Sequence, residues 1–339
     1  MKILANALLS VSLTLVAVGH AVAQAPAPAA AQADEALKAL ATQISAHWKA
    51  KEWAQAEALT RQYIAATPPP PISRLRDLRS LLSLQGKTDE AVKLGLEIVK
   101  RKDALSADHN SVCWNFLLQN QALQARPYCE TAVKLKDDNF AALVNLGHTY
   151  LLAGDAAAAQ PWYARTLVSV PTEKELKEGP LDDFNLFIKN GWQTQLSNTY
   201  QKWFSQGWPA IQEAKAAVRQ DIKLSNENKP VEALIYSIKA FELRQQWLGA
   251  DHPDTLTSMN NLASTYSALG QHDKALAMND KVLAARQTKL GADHPDTLTS
   301  MRNLAITYTA LGQHDKALAM NEKVLAARQT KLGADHPNE

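Results

Sequence analysis

The sequence predicts an all-α chain, a solenoid of antiparallel helix hairpins. Three observations predict it. Residues 248–289 recur as residues 290–331, a 42-residue unit copied with only four substitutions. A second, weaker period of 34 residues runs through the front half of the chain. The composition is that of helix formers, rich in Ala with common Leu, Lys, Glu and Gln, and Gly is only 13 of 339 residues, about 4% against a usual share of roughly 7%. Hydrophobic residues make up 46% of the chain, enough for a folded core, and the formal net charge is only +2. That balance argues against nucleic acid or an anionic membrane as the partner.

From the N-terminus, residues 1–23 read as a signal peptide. Lys2 supplies the positive start, Ile3 to Val18 is an apolar run, and Ala21-Val22-Ala23 fits a cleavage site after Ala23. Export to the periplasm or beyond is therefore expected. Residues 24–33 (QAPAPAAAQA) read as an extended Pro/Ala linker. No later stretch approaches transmembrane length.

Residues 34–171 carry the 34-residue register. Leu78, Val112 and Leu146 recur at that spacing, as do Leu82, Phe116 and Tyr150, and Ala91, Ala125 and Ala159. Gly86, Asn120 and Gly154 recur at the expected turn between helices. The best unit is 140–172; an earlier one, roughly 37–71, is anchored by Trp48, Trp53 and Ala56. Small residues such as Gly147 and Ala159 let two helices of a hairpin approach, and Tyr150 and Tyr163 fill the wedge between hairpins.

Residues 172–208 fit neither register. They hold Phe184, Phe187, Trp192, Tyr200, Trp203, Phe204 and Trp208, which is 7 of the chain's 22 aromatics. Two readings stand: a hinge core that joins two arrays, or a specialised docking surface.

Residues 209–331 hold the 42-residue register. Leu256, Met259, Leu262, Ala263 and Tyr266, then Ala275, Leu276, Val282 and Leu283, lie at helical spacing on either side of Leu269-Gly270. Asp251-His252-Pro253-Asp254 reads as a capped helix start with Pro in the first turn. Residues 206–247 keep the register but only Glu232-Ala233-Leu234 of the pattern. A third copy opens at Leu332 (LGADHPNE), giving a stub, 332–339.

LGADHP, NNLA followed by Tyr266, LGQHDKAL and the Lys281-to-Arg286 helix resemble the tetratricopeptide repeat in its longer kinesin-light-chain form. Asn145-Leu146-Gly147, Tyr150, Gly154, Ala159, Tyr163 and Pro171 are similar to the ordinary 34-residue form. The resemblance implies that the hairpins stack as a right-handed superhelical solenoid, whose concave groove, lined by the first helix of each hairpin, takes a segment of a partner protein. It also implies that the Asn before the packing Leu contacts that segment; here those residues are Asn145, Asn261 and Asn303. For each, a structural hydrogen bond within the array is the alternative.

The four differences between the near-identical repeats are Asn260/Arg302, Ser264/Ile306, Ser267/Thr309 and Asp280/Glu322. The first three fall at i, i+4 and i+7, on one helix face. On the family template that face is the groove, so these residues are expected to tune partner binding.

No hydrolase, metalloprotease, redox or nucleotide-binding motif occurs, so the chain is expected to be non-enzymatic, with no cofactor. His252, His294 and His336 recur every 42 residues, but neighbouring repeats sit roughly 10 Å apart, too far to share a metal. Cys113 and Cys129 fall on the two helices of one unit. Given export, they form either a disulfide or two buried thiols. The expected function is an exported scaffold or adaptor for a protein or peptide partner. A structural or accessory subunit of an envelope-assembly or secretion system is the alternative, and an enzyme with its site in 173–208 a remote one. The last hairpin lacks a covering helix, so self-association through that end is also expected.

Overall fold

The computed structural model describes residues 28–332. Helices α1 (Pro28–Lys49), α2 (Trp53–Ala66), α3 (Ile72–Leu84), α4 (Thr88–Ile98), α5 (Ser106–Leu117), α6 (Ala122–Leu135), α7 (Phe140–Leu152) and α8 (Ala156–Ser169) follow one another as four hairpins. Next come the single-turn helix α9 (Glu173–Leu176), a π-helical turn (Lys177–Leu181) and α10 (Asp182–Lys189). The chain continues through α11 (Thr194–Asn226), α12 (Pro230–Leu248), α13 (Pro253–Ala268), α14 (His272–Leu290), α15 (Pro295–Ala310) and α16 (His314–Leu332). Among the described residues there is no strand, and no helix is long and apolar enough to cross a membrane. Each helix packs chiefly on its sequence neighbours, and the chain divides into two compact units, up to Phe204 and from Ser205.

One turn design closes the hairpins of both registers. Gly86, Asn120 and Gly154 have φ of 73°, 56° and 84°, and Gly270 and Gly312 have 73° and 72°. The following residue's N–H then bonds back to a carbonyl of the preceding helix: Lys87 to Leu82, Gln121 to Phe116, Asp155 to Tyr150, Gln271 to Tyr266 and Gln313 to Tyr308, all at 2.8–2.9 Å. This left-handed closure satisfies helix-end carbonyls and reverses the chain in three residues.

The Ala positions of the 34-residue register, Ala91, Ala125 and Ala159, are fully buried, as helix–helix contact requires. Gly147 sits against the Tyr163 ring so closely that a Cβ there would overlap it. Cys113 and Cys129, on α5 and α6, are joined as a disulfide with Cα atoms 5.4 Å apart.

Two expectations need correction. Helix α1 begins at Pro28, so the last residues of the expected linker are helical: Pro tolerates a first helical turn, and the Ala run after it has the highest helix propensity. The expected boundary at 208/209 lies inside α11. Ser197, Tyr200 and Phe204 are buried in the first unit, and Ile211, Ala214, Ala217, Asp221 and Leu224 in the second, mostly in steps of three or four residues. Of the two readings of the aromatic-rich stretch, its burial favours the core. Phe184, Phe187 and Phe204 are fully buried around Tyr163, while Trp192, Trp203 and Trp208 are half-buried. His148 fastens this layer: its Nδ1 lies 2.8 Å from the Tyr163 hydroxyl and its Nε2 3.3 Å from Asp183 Oδ2. The expected signal peptide lies outside the described residues, as does all of the stub except Leu332, which ends α16.

Candidate partner groove

The second unit is held in register by a repeated clamp. Arg244, near the end of α12, donates to the Asp254 carbonyl at 3.0 Å and to Ser258 Oγ at 2.8 Å. Arg286, one repeat later on α14, donates to the Asp296 carbonyl at 3.1 Å and to Ser300 Oγ at 2.8 Å. Each Arg thus ties the second helix of one hairpin to the first helix of the next. The first helices start on a histidine cap: Nδ1 of His252 and of His294 accepts the N–H of Asp254 and Asp296, both at 3.2 Å. These His therefore serve helix starts; His336 lies outside the described residues, and among those described no cluster of three metal-ligating side chains occurs.

The Asn positions divide into two kinds. Asn303 Nδ2 donates to Asn260 Oδ1 at 2.7 Å, across consecutive first helices. Asn145 Nδ2 donates to Asn110 Oδ1 at 2.9 Å in the first unit. In both arrays the acceptor stands one repeat back and one residue earlier, 43 and 35 residues away. Asn145 is moreover only 5% exposed. For these two amides the structure shows the hydrogen bond within the array, which joins repeats. Asn261 differs, because Val218 stands where the ladder would need an Asn.

Asn261 instead lines a cavity of about 310 Å³ between α11 and α13, together with Ser264, Thr265, Asp221, Ile222 and Asn226. Both helices are first helices of their hairpins. At the cavity's edge Asp221, 3% exposed, accepts a 2.6 Å hydrogen bond from Ser237 Oγ, which also lies 3.0 Å from Thr265 Oγ1. Burial pushes the Asp221 carboxyl up, only partly offset by these hydroxyls. One repeat on, Ala263 and Asn279 take the places of Asp221 and Ser237, and Asn279 Nδ2 donates to Thr307 Oγ1 at 2.9 Å.

Of the other expected groove residues, Arg302, Ile306 and Thr309 are exposed on α15, Ile306 at 54%. Ser267 and Asn260 are half-buried on α13. Asp221, Ile222 and Asn226 were not foreseen. The signal was available: the buried stripe of α11, read forward from Tyr200, lands a carboxylate at 221 where the later repeats carry Ala263 and Ala305. On α16, Leu318 and Leu325 are exposed, whereas their counterparts Leu276 and Leu283 belong to a packed cluster with Leu298 and Met301.

Comparison with known proteins identifies the repeat. A tetratricopeptide-repeat family matches residues 226–288 and 270–330, and a second family of the same description matches 141–165. Among solved structures, a kinesin-light-chain-like protein of Podosopora anserina with nearly identical TPR-like repeats is 18% identical, covering 66% of this chain and 95% of that one, at a TM-score of 0.29. BtubC (BKLC) from P. vanneervenii is 17% identical, covering 89% and 95%, at 0.30. The TPR domain of P58(IPK) is 13% identical, covering 88% and 76%, at 0.36. No curated protein matches the sequence.

Proposed function

We propose that this chain, whose residues 141–165 and 226–330 match tetratricopeptide-repeat families, is an exported, non-enzymatic adaptor. Its second unit holds a segment of a partner protein along the face made by α11, α13 and α15. The observation that carries this reading is the contrast between sealed and open positions on that face. Asn303 donates to Asn260 along the array, whereas Asn261 and Ser264 open onto a cavity beside Ile222. A preformed concavity with a few convergent polar groups is the usual form of a recognition site. The Cys113–Cys129 disulfide supports export, since such bonds persist in oxidising compartments.

The test is capture of a partner by the mature chain under cross-linking, followed by affinity measurement with the purified pair. The double variant Arg302→Ala, Ile306→Ser is expected to bind at least tenfold more weakly. Unchanged affinity would remove the groove reading. Amino-terminal sequencing of the exported form checks cleavage after Ala23.

Self-association is a second reading, favoured by the exposed Leu318 and Leu325. Sedimentation of the full chain tests it: a dimer that Leu318→Glu with Leu325→Glu dissolves supports it, and a concentration-independent monomer rejects it.

A further inference from the structure

The cavity between α11 and α13 has a definite chemical character, set by what lines it and what does not. Its one ionisable lining group is Asp221; the remaining polar groups are the amides of Asn226, Asn228 and Asn261 and the hydroxyls of Ser225, Ser264 and Thr265. No Lys, Arg or His lines it, so an anionic ligand would meet a carboxylate with no counter-charge. A divalent cation would find a single carboxylate among neutral amide and hydroxyl oxygens, less negative charge than tight sites for such ions gather. Asp221 is held by hydroxyl hydrogen bonds alone, and no basic side chain contributes to its ionisation. A carboxylate withdrawn from water without a cation beside it is costly. The group that offsets this cost is a cation from outside.

The rest of the lining says which cation. Ile222, Pro230 and Ala268 supply apolar surface suited to an alkyl stem, and the amide and hydroxyl oxygens supply acceptors for a head with three N–H donors. We propose that this cavity takes the ammonium group of a lysine side chain carried by the partner segment, with Asp221 as its counter-ion and Asn261 as a positioning acceptor. The proposal rests on the groove reading above and narrows it to a lysine-bearing segment. It also explains a difference between the repeats. Where α13 has Ser264 at the cavity, α15 has Ile306, and where α11 has Asp221, α13 has Ala263. The ammonium site is therefore built once, at the first interface, and not at the next.

The experiment uses the full mature chain and the peptide acetyl-Gly-Gly-Lys-Gly-Gly-amide, observed by saturation-transfer NMR and by the Ile222 methyl shift. Companion peptides carry norleucine or Nε-acetyl-lysine in place of lysine, and putrescine serves as a free amine. The lysine peptide is expected to bind at least tenfold more tightly than either companion and more tightly than putrescine. Asp221→Asn, which keeps the acceptor for Ser237, is expected to erase that preference. Ser264→Ile, which places at 264 the residue α15 carries at 306, is expected to block the peptide without touching the carboxylate. Equal binding of the norleucine peptide, a preference that survives Asp221→Asn, or tighter binding of putrescine would each overturn the proposal. Partner capture is measured with the same variants. Capture that persists in Asp221→Asn, with the lysine preference absent from the wild type, sinks the ammonium site and leaves the groove standing. Loss of the groove reading shows instead as unchanged partner affinity in the Arg302→Ala, Ile306→Ser variant.

Discussion

Asn303 donates its side-chain amide to Asn260 across consecutive first helices at 2.7 Å, the relation that Asn145 holds to Asn110 at 2.9 Å in the other unit. Two arrays of different period thus use the same pairing on the same helix position. Asn303→Ala leaves the Asn260 carbonyl without its donor and is expected to lower stability by about 1 kcal/mol. Asn261→Ala, at the one position of this set that faces the cavity, is expected to stay within about 0.5 kcal/mol while weakening partner binding. Thermal melts of the two variants check the order; equal losses would mean that Asn261 is structural as well.

The helix starts on His252 and His294 make a second prediction. The imidazole Nδ1 caps the N–H two residues on, so His294→Ala is expected to cost about 1 kcal/mol. His294→Asn restores a side-chain acceptor and is expected to recover most of it. A urea series on both variants decides the matter, and no difference between them would show that the cap is idle.

The disulfide closes a loop with a sequence separation of 16 between α5 and α6. A cross-link of about this span stabilises by about 3 kcal/mol on the chain-entropy model. Cys113→Ala with Cys129→Ala is expected to lower the unfolding midpoint. Reductant is expected to lower the wild-type midpoint and to leave the double variant unmoved. A wild-type midpoint insensitive to reductant, under conditions that reduce the unfolded chain, would contradict this.

Asp221 gives a prediction whose sign is informative. Burial raises its carboxyl pKa above the ordinary 3.8, so the folded state holds the proton more tightly than the unfolded one does. The favourable contribution is complete below the unfolded value and is lost as pH rises through the folded one. Once ionised, the group burdens the fold. Asp221→Asn is therefore expected to raise the melting temperature near pH 7, with the gain shrinking on acidification, while abolishing lysine-peptide preference. A lowered melting temperature at neutral pH would show that Asp221 is there for the fold.

The hairpins were legible because their spacing is a direct projection of packing: Ala91, Ala125 and Ala159 recur where helices touch, and Gly86, Asn120 and Gly154 where the chain must turn left-handed. Less legible was 172–208, since its aromatics pack on His148 and Tyr163 from two different helices and follow neither period. The site was half legible. Ser264 and Asn261, which line the cavity, lie on an intact repeat whose pattern singles them out, while Asp221 lies in a segment that kept the register and lost the motif. A structural hydrogen bond at Asn303 was one of two readings, but its partner Asn260 was not legible, because the pairing depends on a one-residue stagger between neighbouring helices.

The most direct test of the central claim is site-specific photo-cross-linking to the partner. A photoreactive side chain is placed at Ala268, on the cavity, and at Ala277, an exposed position on the second helix of the same hairpin. The groove account predicts an adduct from Ala268 that disappears on adding Ser264→Ile, and none from Ala277. An adduct from Ala277 of equal yield, or one from Ala268 that ignores Ser264→Ile, would contradict it.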